Sequence, residues 1–187
     1  ETASVSGEFI RSESLKGIGI VNLYRMKEYR KHSVPLYLPL YGRGQEMERL
    51  EKILSERRIA KLSGESGAGK THFVSSFIYE KNLNAVYLNV SSTDTLKEYS
   101  VFEMLGMEAE EGTSKNAAYR KFLDFMLGRH EKEILVIDNY DKLDEKSSEI
   151  IDRFLEESVS SRAILISSSL KGDINLTPFD SKGISGL

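Results

Sequence analysis

The residues with the clearest chemical purpose are contiguous. Gly64-Glu65-Ser66-Gly67-Ala68-Gly69-Lys70-Thr71 matches G-x-x-x-x-G-K-[ST] at every fixed position. Holding a triphosphate takes many donors close together, and backbone N–H groups supply them where a loop can curl around the anion. Gly64, Gly67 and Gly69 permit backbone angles and a close approach that a Cβ would obstruct. A helix beginning at the end of such a loop adds its first unpaired N–H groups and its dipole. Lys70 is then placed to reach the β- and γ-phosphates, and the Thr71 hydroxyl to ligate Mg2+. His72 closes the expected nucleotide-binding stretch, with helix packing as the competing reading. Well downstream, Asp138 closes the aliphatic run Ile134–Ile137. That is the Walker B pattern, in which a carboxylate holds Mg2+ through water. Thr71 and Asp138 are the expected metal residues.

These groups need elements to carry them. Gln45–Arg57 predicts an amphipathic helix with Met47, Leu50, Ile53 and Leu54 on one stripe. Ile59–Ser63 predicts a short strand into the loop. Lys70–Glu80 predicts a helix out of it, with Phe73, Val74, Phe77 and Ile78 inward. Strands are expected at Ala85–Val90, Ile134–Ile137 and Ala163–Ser167, and an edge strand at Ile174–Leu176. Helices are expected over 95–105, Lys115–Arg129 and Lys146–Glu157. Short apolar strands alternating with helices predict an α/β fold, a three-layer αβα sandwich around a mostly parallel five-stranded sheet. Each crossover should be right-handed.

The first forty residues have another texture. Residues 1–27 predict two extended segments around Gly17 and Gly19, a short β-hairpin-like extension. Residues 28–41 predict a linker. Pro35 and Pro39 remove backbone donors and favour extended chain, and the apolar residues between them favour lying against a surface. Residues 42–187 are then the P-loop domain.

Composition narrows the classes. The chain has 187 residues, 26 Lys+Arg against 29 Asp+Glu and a net charge of −3. This length fits one domain of roughly 100–200 residues. The longest aliphatic runs have four residues (Ile134–Ile137, Ala163–Ile166), against the ~20 that a membrane-spanning helix needs. The pI of 5.8 argues against nucleic acid as partner. With no cysteine there is no disulfide, thiolate metal site or cysteine nucleophile, which is compatible with the cytoplasm. The start at Glu1 and the end at Leu187 read as an interior slice of a longer protein.

The segment Tyr41-Gly42-Arg43-Gly44-Gln45-Glu46-Met47-Glu48-Arg49-Leu50 resembles the opening of ATPase domains in the signal-transduction (STAND) branch of the AAA+ P-loop proteins. The phosphate loop, residues 134–143 and the strand ending Ser167-Ser168-Ser169 follow in that family's order. The resemblance covers about 42–180. It implies that ATP or ADP is the ligand and Mg2+ its companion. It also implies a Walker B strand beside a sensor strand. Residues near Leu40–Arg43, Arg43 included, would flank the adenine, and Ser167 or Ser168 would sit near the γ-phosphate. For these serines a plain polar strand end is the competing reading. Two departures bear on activity. Active members usually carry an acid after the Walker B aspartate, whereas this chain has Asn139, which cannot act as a base. Asp141, Glu145 and Glu149 are conceivable substitutes, the two glutamates reading first as solvated helix charges. The chain also ends shortly after Leu176–Asp180, which resembles the approach to the family's helical lid. Asn89, ending the second core strand, matches a position where some relatives keep a polar switch residue.

Residues 9–26 resemble the closing strands of class III nucleotidyl cyclase catalytic domains, with Lys16 on a lysine that contacts substrate phosphates in some members. Soluble-type adenylyl cyclases and their bacterial relatives place an ATPase module directly after the catalytic domain. The order cyclase tail, linker, P-loop domain implies such a junction. The expected function is a Mg-ATP-binding regulatory module with slow or no hydrolysis. Its expected partners are the cyclase domain and the downstream lid and repeat domains of the same chain. A competent AAA+ remodelling ATPase and a scaffold with a degenerate site are the alternatives.

Overall fold

The computed structural model describes residues 6–15, 19–28, 34–35, 39–91, 97–107, 112–129, 133–169 and 171–178. Lys16, Gly17 and much of the 28–41 linker lie outside the described residues, as do Phe179 and Asp180 of the lid-like segment. Strands β1 (Ser6–Leu15) and β2 (Gly19–Glu28) pair antiparallel as a separate two-stranded sheet, with a register irregularity between Phe9 and Arg11.

The remaining elements alternate. They are α1 (Gly44–Glu56), β3 (Ile59–Gly64), α2 (Lys70–Glu80), β4 (Ala85–Asn89), α3 (Ser100–Met104), α4 (Lys115–Arg129), β5 (Ile134–Asp138), α5 (Glu145–Glu157), β6 (Arg162–Ser167) and β7 (Ile174–Leu176). A 3-10 turn at Tyr140–Lys142 links β5 to α5. The five strands run in the order β4-β5-β6-β3-β7, and every pairing is parallel.

The strand sequences explain the burial. β5 is buried along its whole length. Ile134 and Val136 enter one apolar cluster, with Met47, Leu50, Phe73 and Phe77 of α1 and α2. Leu135 and Ile137 enter the other, with Phe122 of α4 and Ile151 and Phe154 of α5. A strand with a core on each face has no position for a polar residue until it leaves the sheet. In β5 that position is Asp138. α1 and α5 bury single stripes, Met47, Leu50, Ile53 and Leu54 in the first and Ile150, Ile151, Phe154 and Leu155 in the second.

The helix expected over 95–105 is shorter, Ser100–Met104. Tyr99 holds a left-handed backbone (φ 58°). Its N–H and that of Ser100 donate to the Asp144 carboxylate, which stops the helix from extending backwards. Asp144 is also the N-cap of α5, accepting from Ser147 N at 2.9 Å. One buried carboxylate therefore joins α3 to α5. Among the described residues no helix is long and apolar enough to cross a membrane.

Candidate functional site

Parallel strands all present their carboxyl ends along one edge of the sheet, where the crossover loops converge and ligands bind in open α/β folds. At this edge β6 lies between β3 and β5. The residues leaving β6 therefore stand between the phosphate loop and Asp138.

The loop starts where β3 meets β7. Gly64 has φ +153°, and a Cβ there would lie 2.3 Å from the Leu176 carbonyl oxygen. That space admits a glycine and nothing larger. The chain then turns through Glu65, Ser66 and Gly67 to Gly69, the left-handed N-cap of α2 (φ 82°). Ala68 is buried in the core beneath, with its N–H on the Glu65 carbonyl.

Lys70 opens α2 and folds back over the loop. Its Nζ donates to Gly64 O (2.7 Å), Glu65 O (2.9 Å) and the Ser168 hydroxyl (3.1 Å). It is 8% exposed. Three ammonium donors thus meet three neutral acceptors. Beside it is a cavity of about 430 Å³, lined by Ser66, Gly67, Gly69, Lys70, Thr71, His72, Asp138, Asn139 and Ser168, with Pro35 and Ser75.

Thr71 Oγ1 donates to Asp138 Oδ2 at 2.5 Å, and the Tyr87 hydroxyl donates to the same oxygen at 2.7 Å. Burial, and next the neighbouring Asp138 charge, push the Tyr87 phenol far above its ordinary range. It stays a donor. Threonine hydroxyl and aspartate carboxylate are hard oxygen donors, the chemistry that Mg2+ takes.

Asn139 sits at φ 59°, a backbone region that asparagine tolerates better than most residues. Its amide donates to Asn89 Oδ1 and Val90 O, each at 3.2 Å. Asn89 and Asn139 are therefore brought together at the ends of β4 and β5. Asp141 accepts from the Ser169 hydroxyl at 3.0 Å. Partial burial pushes its pKa up, but hydrogen bonds from Ser169 and Ser167 outweigh this and hold it below the ordinary value. Asp141 thereby ties the turn after β5 to the exit of β6, which carries Ser168.

Other sequence-selected residues lie apart. Gly64, Glu65 and Ala68 build the loop without lining the cavity. The buried Arg43 side chain pairs with Glu46 at 2.9 Å and donates to Thr177 O, joining the start of α1 to the end of β7. It does not line the cavity. Glu145 is exposed in the first turn of α5, and Glu149 pairs with Lys115. Nothing in the sequence alone marks Tyr87 or Pro35 as belonging to this site. Tyr87 reads there as a core aromatic in an apolar strand, and Pro35 as linker. Asp144 carries a usable signal, an aspartate immediately before a helical pattern.

A model of the AAA domain family matches residues 52–173, more than half of the chain and the whole of the strand–loop–helix unit just described. The chain belongs to the AAA domain family. One solved structure supports the P-loop NTPase fold of this AAA domain. The Walker-type ATPase PABY2304 of Pyrococcus abyssi is similar over 76% of this chain and 55% of that one, at 14% identity and a TM-score of 0.51. PCH-2 of C. elegans matches over 80% and 46%, at 17% identity and a TM-score of 0.43. A chain of the E. coli MS115-1 HORMA:CdnC:Trip13 complex matches over 74% and 60%, at 12% identity and a TM-score of 0.39. The AAA domain chain thus spans about half to three fifths of the length of these structures. No curated protein matches it.

Proposed function

We propose that the cavity binds Mg-ATP or Mg-ADP and that the domain is a nucleotide-dependent regulatory switch with slow or no hydrolysis. The observation that carries this reading is Lys70. Its ammonium is nearly buried, satisfied among the described residues by neutral acceptors alone, and placed at the start of α2 beside an open cavity. Burying a charge without a countercharge is costly. A phosphate would bring the missing charge to Lys70 and to the helix N-terminus together.

In this reading the N–H groups of residues 67–71 cradle the phosphates. Lys70 contacts the β- and γ-phosphates. Thr71 and Asp138 hold Mg2+, which when bound would neutralise phosphate charge. Ser168, already on Lys70, would exchange that contact for one near the γ-phosphate. Slow turnover is supported by the amide at Asn139, which cannot take up a proton and is bound to β4. Asp141 is occupied by Ser169.

The wider context rests on sequence resemblance. Residues 41–50 support STAND-type signalling, and residues 9–26 with the linker support a cytoplasmic soluble-type adenylyl cyclase as parent. The cyclase domain and the downstream lid would then be the partners in cis. Phosphate release with Mg-ATP tests the switch reading. Turnover well below about 1 s⁻¹, under the range of most working enzymes, is expected. Turnover at or above that rate would favour a remodelling ATPase.

A further inference from the structure

We propose that Tyr87 is a positioning residue for Asp138, holding its carboxylate in the orientation that Mg2+ binding needs. The inference rests on the Mg-nucleotide reading of the site. Tyr87 pairs with Val136 across β4 and β5, and Asn89 pairs with Asp138. Positions two apart on a strand share a face, so Val136 and Asp138 lie on one face of β5, the face covered by α1 and α2. The Tyr87 side chain leans along this face toward the carboxyl end of the sheet and reaches Asp138. Its ring belongs to the same apolar cluster as Phe73 and Phe77. A phenylalanine would serve that packing equally well. The hydroxyl is what packing leaves unexplained, and it donates to Asp138 Oδ2 at 2.7 Å.

Thr71 shares that oxygen at 2.5 Å, so both of these bonds land on Oδ2 and leave Oδ1 to accept elsewhere. The two donors are not equivalent. Thr71 lines the cavity, and in the Mg-nucleotide reading it would have a second duty as a metal ligand. Tyr87 is 2% exposed and does not line the cavity. Its hydroxyl, which also reaches the Thr71 side chain, keeps the carboxylate oriented whether or not the Thr71 oxygen is engaged. Outer partners of metal ligands typically contribute 10–100-fold to metal affinity.

The test is fluorescent-ATP binding as a function of Mg2+ concentration for wild type, Tyr87→Phe, Asp138→Asn and the double variant. Tyr87→Phe is expected to raise the half-maximal Mg2+ concentration about tenfold or more. In EDTA it and the wild type should bind alike, because among the described lining residues the hydroxyl reaches Asp138 and the Thr71 side chain, the two groups that would hold the metal. Adding Tyr87→Phe to Asp138→Asn should change nothing further, since the bond acts through that carboxylate. A Tyr87→Phe midpoint within about twofold of wild type would overturn the proposal. So would a Tyr87→Phe chain that no longer folds by circular dichroism, since the hydroxyl would then belong to stability. A wild type that binds no ATP would sink the nucleotide reading itself. Normal wild-type binding with an indistinguishable Tyr87→Phe removes the positioning role alone.

Discussion

Replacing Asp144 by alanine should destabilise the domain by about 3 kcal/mol or more. The carboxylate is 7% exposed and accepts four hydrogen bonds: from Tyr99 N (3.0 Å), Ser147 N (2.9 Å), Ser100 N (3.0 Å) and Ser100 Oγ (2.6 Å). Losing an N-cap costs about 0.5–2 kcal/mol. Each buried N–H left without an acceptor costs about 1–3 kcal/mol, and Tyr99 and Ser100 would both be left so. Water entering the gap recovers part of that sum, which leaves about 3–4 kcal/mol. For a chain of this size the melting temperature should fall by about 6–16 °C. The effect has a pH signature. Burial pushes the Asp144 pKa up, but hydrogen bonds from Ser100 and Ser147 outweigh it and hold the folded value below the ordinary aspartate value. A depressed folded pKa stabilises fully above the unfolded pKa, and that stabilisation is lost as pH falls through the folded one. Urea unfolding of wild type and Asp144→Ala should therefore differ most above pH 5, and the gap should close as pH drops below 3.8. A difference under about 1 kcal/mol, or one that is flat with pH, would refute the reasoning.

Two further perturbations probe the loop and its neighbour. Gly64→Ala drives a Cβ to 2.3 Å from Leu176 O at φ +153°, so overpacking and backbone strain together should cost about 2–4 kcal/mol. Urea unfolding reads this, and wild-type stability would show that β3 and β7 do not meet so closely. Ser169→Ala removes one of the hydrogen bonds that depress the Asp141 pKa. Its carboxyl carbon, followed by NMR titration, should then titrate at higher pH than in the wild type, and an unchanged midpoint would break the proposed tie between β5 and β6.

Much of the core was legible because burial on both faces leaves a plain mark. The run Ile134–Ile137 had to be a buried strand, and the structure sends its alternate residues to opposite clusters. The helices Lys70–Glu80 and Lys115–Arg129 start and stop at the expected residues. What stayed hidden depends on contacts distant in sequence. The start of α3 is fixed by Asp144, 44 residues from Ser100. Tyr87 looks like any strand aromatic until its hydroxyl is seen on a carboxylate 51 residues away. Asn139 reads in sequence as a missing base, and the structure adds a second cause for asparagine there, a left-handed backbone whose amide caps the end of β4. Arg43 drew notice through its segment, yet its guanidinium serves the junction with Thr177.

The most direct measurement is equilibrium titration of ATP and ADP, with Mg2+, onto the wild-type chain and onto Lys70→Ala. A hydrogen bond to a charged group contributes about 1.5–3 kcal/mol, so removing the ammonium that faces the cavity should weaken binding at least about tenfold while the fold persists. Saturable binding by the wild type with that loss in Lys70→Ala is the predicted result. No binding by the wild type, or equal binding by the variant, would contradict a nucleotide site at this loop.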